Sequence, residues 1–524
     1  MSLSWIPNSV WDLYNDLTSS LYRGLGDILP DDIPLLTLLM VLPLLGAVGA
    51  IFCNKHAKTI AAVFSGITMV MVLGLYVILP DLSTLNESHV WIETLGIKVN
   101  YALGMDSLSV MMVGLTAVLV FLVVIFSSEK ERPGLFFAML MAMEVGLMGV
   151  YMAQDYFLFY IMWEVTLIPM YFMISWFGGP RRHYASIKFF IYTHVASLIM
   201  LIGIFAMVFN AGNYSGIADF SFEAVKNASA AGFFSDNFQM LVFALMFFGF
   251  AVKMPVVPFH TWLPDAHVEA PTAGSVLLAG VMLKMGSYGI IRICLESLME
   301  GAKQWQELMI VVAIVSIIYG AYACIAQKDL KKMIAFSSIS HMGMVLLGIA
   351  VLNEAGLTFA IFQMFAHGLI TAVLFMVCGI TGHNVGTREI PLLGGLAGKM
   401  PKYAGFMVFG FLASLGLPGL VGFVAEFGIM FSFYEYLSDL NMIYLIVVVL
   451  LSLMLTAGYY MWAMQRTIFG RLTNKIDLSH AHDINTAETF SLAVLCMLIV
   501  LFGVCPSIVT DVIGNYISSG GVVF

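Results

Sequence analysis

Charge is scarce in this 524-residue chain. Asp, Glu, Lys and Arg make up 10% of it, against about a quarter in soluble domains, while 60% is hydrophobic. So little charge cannot cover a water-facing surface, and the chain reads as a polytopic membrane protein with lipid as its solvent. Cysteine is scarce too. The six (53, 294, 324, 378, 496, 505) are scattered without a C-x-x-C pair, which offers no disulfide framework and argues against zinc and iron–sulfur sites. No G-x-G-x-x-G follows a strand, and Gly398-Lys399 runs on into Met400, so dinucleotide and phosphate-loop fingerprints are absent. No metal or cofactor is expected on this chain. The net charge of −9 belongs to its loops and gives no reason to expect nucleic acid.

Long apolar runs are what the chain has instead. A spanning helix needs about 20 such residues, and fourteen candidates follow in order: 33–53, 57–79, 107–127, 134–153, 156–178, 187–210, 238–259, 271–295, 307–326, 330–352, 356–380, 402–435, 441–468 and 486–510. Runs of this length exclude a barrel, so the expected fold is all-α. Residues 1–32 lack a basic start and a continuous apolar run, so they are no signal peptide; Trp5, Trp11, Leu13 and Tyr14 suit an interfacial amphipathic segment or a tail. Sixteen of the 23 Lys and Arg residues, Lys331 among them, fall in loops after odd-numbered spans. Five, including Arg292, fall on the other side, and Lys253 and Lys284 lie inside. The positive-inside rule then puts both termini outside the cytoplasm. The connection 260–270 carries neither Lys nor Arg and is read as site architecture.

Span seven is interrupted by Pro255 and Pro258, and span twelve by Gly416-Leu-Pro418-Gly419. Proline removes a backbone donor and breaks a helix. The two breaks are five spans apart, and five is odd, so two such units are inverted relative to each other, as in transporters built on paired broken helices. This predicts an N-terminal part (1–132, with spans 1–3), a first repeat (133–296, spans 4–8), a second (297–470, spans 9–13), and a last span with a tail (471–524).

Buried ionisable groups mark function in a membrane, because each costs free energy to insert. Glu164 on span five and Lys253 at the first break are expected to pair, as a static lock or as a switch in which separation changes proton affinity. Lys284 lies deep in span eight with no acid in its own helix. His341 and His367, mid-span, suit a proton relay or a satisfied core role. Glu426 follows the second break and is the counterpart of Lys253. Glu144 in span four is open between a path residue and a packed acid. His260 at the first break could gate water, His194 leans structural, and Asp155 is placed to cap the fifth helix.

Several stretches carry a specific resemblance: Trp163-Glu164 with Leu167-Ile-Pro169-Met-Tyr171; Lys188-Phe-Phe-Ile-Tyr192-Thr; Ala251-Val-Lys253-Met-Pro-Val-Val-Pro258; Trp262-Leu-Pro-Asp-Ala-His267; Ala270-Pro-Thr-Ala-Gly-Ser275; and Ser340-His-Met-Gly343. Over spans 3 to 13 the chain resembles the M-type (chain 4) antiporter-like subunits of complex I, in the proton-conducting membrane transporter family. Glu426 looks like the M type, where the L and N types carry lysine. The resemblance implies proton translocation in the cytoplasmic (inner) membrane, coupled to quinone reduction on other subunits. Flavin, iron–sulfur clusters and quinone would sit on those partners, and L-like and N-like subunits would be neighbours. Glu164 and Lys253 would switch; Lys284, then His341 and His367, would carry the proton; Glu426 would exchange it. Glu144 and His194 depart from the common pattern. A multi-subunit Na+/H+ antiporter subunit and a membrane hydrogenase or formate-linked subunit share most of these motifs.

Overall fold

The computed structural model describes residues 34–78, 85–476, 478, 481–522 and 524; the amphipathic segment expected within 1–32 lies outside them. With no water in a hydrocarbon layer, the backbone must satisfy itself, and helices do so within one segment. Thirteen helical stretches among the described residues are long and apolar enough to cross a membrane. They include α1 (Leu35–Phe52), α2 (Ala57–Ile78), α3 (Ser107–Phe126), α4 (Pro133–Met152), α5 (Tyr156–Phe177) and α6 (Arg182–Ser215). After the short α7 (Phe222–Ala230) comes α8 (Asp236–Lys253), then the half-helix α9 (Trp262–Glu269) and α10 (Thr272–Leu295). There follow α11 (Met299–Ile325), α12 (Leu330–Ala350) and α13 (Glu354–Ile380). The expected twelfth span is split into α14 (Pro401–Ser414) and α15 (Val421–Asp439), neither of which is among the thirteen. The chain ends with α16 (Ile446–Thr467), α17 (Thr486–Val504) and α18 (Ser507–Ser518). The most buried helices are α10, α12 and α13, which form the centre of the molecule, while α2 and α17 lie at its rim.

Both breaks fall where proline and glycine interrupt the apolar runs. Helix α8 stops at Lys253, and the carbonyl of Val252 accepts the indole Nε1–H of Trp262 at 2.9 Å. The backbone N–H of Val257 donates to Ser316 Oγ at 2.9 Å, so side chains take up the groups that the break frees. In the second break Gly416 (φ 79°) and Gly419 (φ 90°) adopt left-handed backbone, which excludes most side chains. The seventh span does not run on to 259 as expected. Its second half is α9, with Trp262, Leu263, Ala266 and His267 buried. The connection 260–270 lacks Lys and Arg because most of it is a buried half-helix.

Two further expectations need correction. Lys331 is no loop cation: it is buried at the start of α12, and its Nζ donates to the Ala270 carbonyl at 2.5 Å. Arg292 is likewise buried, near the end of α10. Outside the spans, the all-α body also carries a small sheet. Between α2 and α3 lies a hairpin, β1 (Asn86–Thr94) against β2 (Ile97–Gly104), antiparallel in the register Asn86↔Gly104 to Thr94↔Ile97. Leu95 and Gly96 turn it with φ 53° and 79°. The two-residue β3 (Ala218–Asp219) joins β2 in parallel. These strands stand outside the spans, so the spanning part is all-α. The face that carries them is called the hairpin face below.

Short connections place caps at the membrane faces. Asp155 caps α5: its Oδ1 accepts from the N–H groups of Phe157 (2.9 Å) and Leu158 (3.2 Å), and its Oδ2 from that of Asn100 on β2 (2.9 Å). One fully buried carboxylate therefore ties a helix start to the hairpin. Asp155→Ala strips all three donors of their acceptor and is expected to cost roughly 1–3 kcal/mol. The check is a lower midpoint of thermal inactivation for the assembled protein; an unchanged midpoint contradicts it.

Candidate functional site

The central helices bring four of the expected residues into one row. Lys284 (α10), His367 (α13), His341 (α12) and Glu426 (α15) are all buried, one from each helix. Lys284 Nζ lies 2.7 Å from His367 Nδ1. The rings of His367 and His341 have centroids 5.5 Å apart. His341 Nδ1 lies 2.9 Å from Glu426 Oε1. The order along the row is therefore lysine, His367, His341, glutamate, and the expected order of the two histidines is reversed. Sequence position cannot decide this, because α12 and α13 run in opposite directions past the same point.

Local structure explains the placement. Helix α10 contains two π-helical stretches, Leu278–Met282 and Ile290–Leu295, on either side of Lys284. Such bulges free carbonyls from the α ladder and recur at functional sites. Lys284 Nζ takes one of them, donating to the Ala279 carbonyl. His341 is held at both nitrogens, since its Nε2 lies 3.2 Å from Ser414 Oγ at the end of α14. Ser414 Oγ in turn lies 2.7 Å from Tyr460 OH, which donates to Ser337 Oγ at 3.0 Å. Gln363 Nε2 stands 3.5 Å from Glu426 Oε1. A Cβ on Gly416 would come within 3.3 Å of Glu426 Oε2, so the glycine of the break also makes room for the carboxylate. His367 Nε2 alone in this row has no partner among the described residues.

The first break is arranged differently from expectation. Lys253 Nζ is buried and makes no hydrogen bond or ion pair among the described residues. It sits over the rings of Trp163 (5.4 Å) and Phe189 (5.8 Å). Glu164 is near enough for its charge to act on Lys253, but the two are not in contact. Instead Glu164 Oε2 lies 2.8 Å from His194 Nδ1 on α6, and its Oε1 has no partner among the described residues. The reason is helical geometry. Neighbouring residues on a helix point about 100° apart, so with Trp163 turned to Lys253, Glu164 faces α6. His194, which leaned structural in the sequence, is the partner that Glu164 has.

Glu144 is more conspicuous in the structure than in the sequence. It is fully buried on α4 and neither carboxylate oxygen has a partner among the described residues. An ionised carboxylate without a donor is costly at such a site. His260 is buried between α8 and α9, its ring centroid 4.8 Å from that of Tyr319, with Nδ1 unpartnered among the described residues.

Two residues escaped the sequence reading. His267 is fully buried, stacked on Phe375 (4.5 Å, 8° between planes), with neither ring nitrogen partnered among the described residues. Lys331 is the other. Both were assigned to connections: His267 because a half-helix of eight residues is too short to register as a span, and Lys331 because it stands at the very start of α12. A signal was present in the apolar Trp262-Leu-Pro and in the lack of any Lys or Arg across 260–270. Among the described residues no three His, Cys, Asp or Glu side chains are placed to hold a metal.

Residues 153–456 match the family described as NADH:quinone oxidoreductase/Mrp antiporter, transmembrane. The chain is 43% identical over 496 residues to the F420H2 dehydrogenase subunit M of Methanosarcina mazei, covering 92% of this chain and 97% of that one. It is 39% identical over 432 residues to the NADH-quinone oxidoreductase subunit M of Rhodobacter capsulatus, covering 82% of each. Among solved structures it superposes on a chain of respiratory complex I from Thermus thermophilus with a TM-score of 0.82, at 27% identity, over 92% of this chain and 99% of that one.

Proposed function

The chain belongs to the NADH:quinone oxidoreductase/Mrp antiporter transmembrane family, and on that premise we propose that it is the M-type proton-translocating membrane subunit of a complex I-type respiratory oxidoreductase. The observation that carries this reading is the buried row Lys284–His367–His341–Glu426, in which each group can hold and release a proton. Lys284 donates toward His367 Nδ1. A proton on the free Nε2 side of His367 reaches His341 by a small ring movement, and His341 passes it to Glu426 beside the second break. The first break holds the other moving charge. Lys253 has no fixed partner, and Glu164, Glu144 and His194 belong to the same half of the molecule. Electron transfer on partner subunits would displace Lys253 relative to these acids and drive the row by charge.

Under this reading the chain makes no redox step. Flavin, iron–sulfur clusters and quinone sit on other subunits, and L-like and N-like subunits flank this one in the membrane. The host is the cytoplasmic (inner) membrane with both termini on its outer side, and residues 133–296 and 297–470 form the two inverted units. A donor other than NADH is a second reading, favoured by the 43% identity to an F420H2 dehydrogenase subunit. The test is to purify the complex, identify the donor that its soluble subunits oxidise, and follow proton uptake in proteoliposomes. Lys284→Met is expected to preserve quinone reduction and cut proton movement per quinone ~10²-fold, the scale on which losing a positioned proton-transfer group acts. Unchanged stoichiometry rejects the row as the path.

A further inference from the structure

At the hairpin face, one cluster lies outside the row. Arg292 is buried near the end of α10. Its Nη2 pairs with Asp106, the cap of α3, and donates to Ser109 Oγ at 3.2 Å. Its Nη1 lies 3.1 Å from Glu296 Oε1. Tyr516 of α18 donates to the same oxygen at 2.5 Å, and Lys226 Nζ lies 3.4 Å from Glu296 Oε2. Asp106 and Lys226 are partly exposed, so the cluster opens to the hairpin face.

On its inner side the same guanidinium is joined to the Lys284 region. Arg292 Nε donates to Tyr288 OH at 3.3 Å, and Tyr288 OH donates to the Tyr151 carbonyl at 3.0 Å. Tyr151 OH donates to the Val281 carbonyl at 2.9 Å, three residues before Lys284. Eight residues of α10, about 12 Å, separate Lys284 from Arg292, and the Tyr288 and Tyr151 hydroxyls stand between them, the line ending at the Val281 carbonyl.

Of the side chains along this line, only Arg292 cannot give up its proton. It cannot relay one, and its positive field repels one. Its orientation sharpens the effect, with both Nη atoms on the acids of the outer side and Nε turned inward to Tyr288. Burial raises Asp106, but the guanidinium outweighs it and holds that carboxyl below its usual range; burial keeps Glu296 above its usual range against the pull of Arg292 and Lys226. A fixed cation at the neck of a polar path is a recognised way to exclude protons and cations.

We propose that Arg292, held by Asp106 and Glu296, is an electrostatic plug that bars protons of the hairpin face from running back to Lys284. This rests on the proton-path reading. Its alternative is that the cluster only clamps α18 to α10.

The test uses the assembled complex in proteoliposomes with no electron donor, an imposed pH gradient acid on the hairpin side, and a pH-sensitive dye. Arg292→Met with Asp106→Asn removes both charges of the pair and leaves the Glu296–Lys226 pair in place. Passive proton leak is expected to rise about tenfold or more, the scale on which a fixed charge at a cleft changes local ion concentration. Arg292→Lys, which keeps the charge, should leak no more than the parent. Ser109→Asp offsets the charge while keeping the acid contacts of Arg292, and should also leak. No rise in whichever of these two assembles, or failure of both to assemble, overturns the plug in favour of the clamp. Adding Lys284→Met to a leaking variant separates the two readings. A leak that stops supports plug and path together; a leak that persists removes the path while Arg292 still acts as a barrier.

Discussion

Lys253→Met is expected to leave the complex assembled, at least as stable as the parent, and almost without coupled proton movement. Methionine fills nearly the same volume as lysine and carries no charge. The parent ammonium is buried over Trp163 and Phe189 with no hydrogen-bond partner among the described residues. A charge in that position is a burden on the fold, since nothing nearby fully compensates its lost hydration. If Lys253 served packing alone, its removal would help stability and change nothing else. If it is the movable charge of the first break, proton flux per quinone falls by ~10²-fold or more while quinone reduction continues. Thermal inactivation and dye-reported proton uptake, measured on one preparation, separate the outcomes. Normal pumping in a stable variant would remove Lys253 from the mechanism.

Glu426→Gln carries the second large effect. The carboxylate lies 2.9 Å from His341 Nδ1 and 3.5 Å from Gln363 Nε2 beside the glycine-made space of the second break. Glutamine has the same shape and can still hydrogen-bond His341, so the packing of α12 on α15 is preserved to within about 1.5 kcal/mol. It cannot take up a proton. Transport should therefore fall by ~10²-fold with assembly intact, and Glu426→Asp, which shortens the arm but keeps the acid, should recover part of it. Equal transport by Gln and Glu variants would show that the row ends elsewhere, with His341 and Ser414 as the point of exchange.

Much of this architecture can be read from the residues because lipid leaves few choices. An apolar run of about 20 residues must be a helix, since no water is present to satisfy any other backbone. Pro255, Pro258, Gly416, Pro418 and Gly419 mark the two breaks by the donors they remove or the backbone they permit. Lys253, Lys284, His341, His367 and Glu426 stand out because each is expensive in an apolar span. What escaped the reading was short or shared between segments. The half-helix α9 is too brief to register, so His267 passed for a loop residue. Lys331 looked like a loop cation because burial at the end of a helix depends on what the next segment covers. The hairpin at 86–104 has only local alternation and a Leu-Gly turn, easily passed over beside spans twice the length of either strand.

The chain by itself therefore determined the class of protein, the helices, the breaks and most of the titratable groups, since each follows from the cost of exposing backbone or charge to lipid. Tertiary structure decided who touches whom. It set His367 before His341, gave Glu164 to His194 rather than to Lys253, left Glu144 unpartnered, and closed Arg292 between two acids. Those choices depend on the rotation and direction of each helix against its neighbours, and rotation is set by packing around the whole circumference, which the residues of one span do not specify.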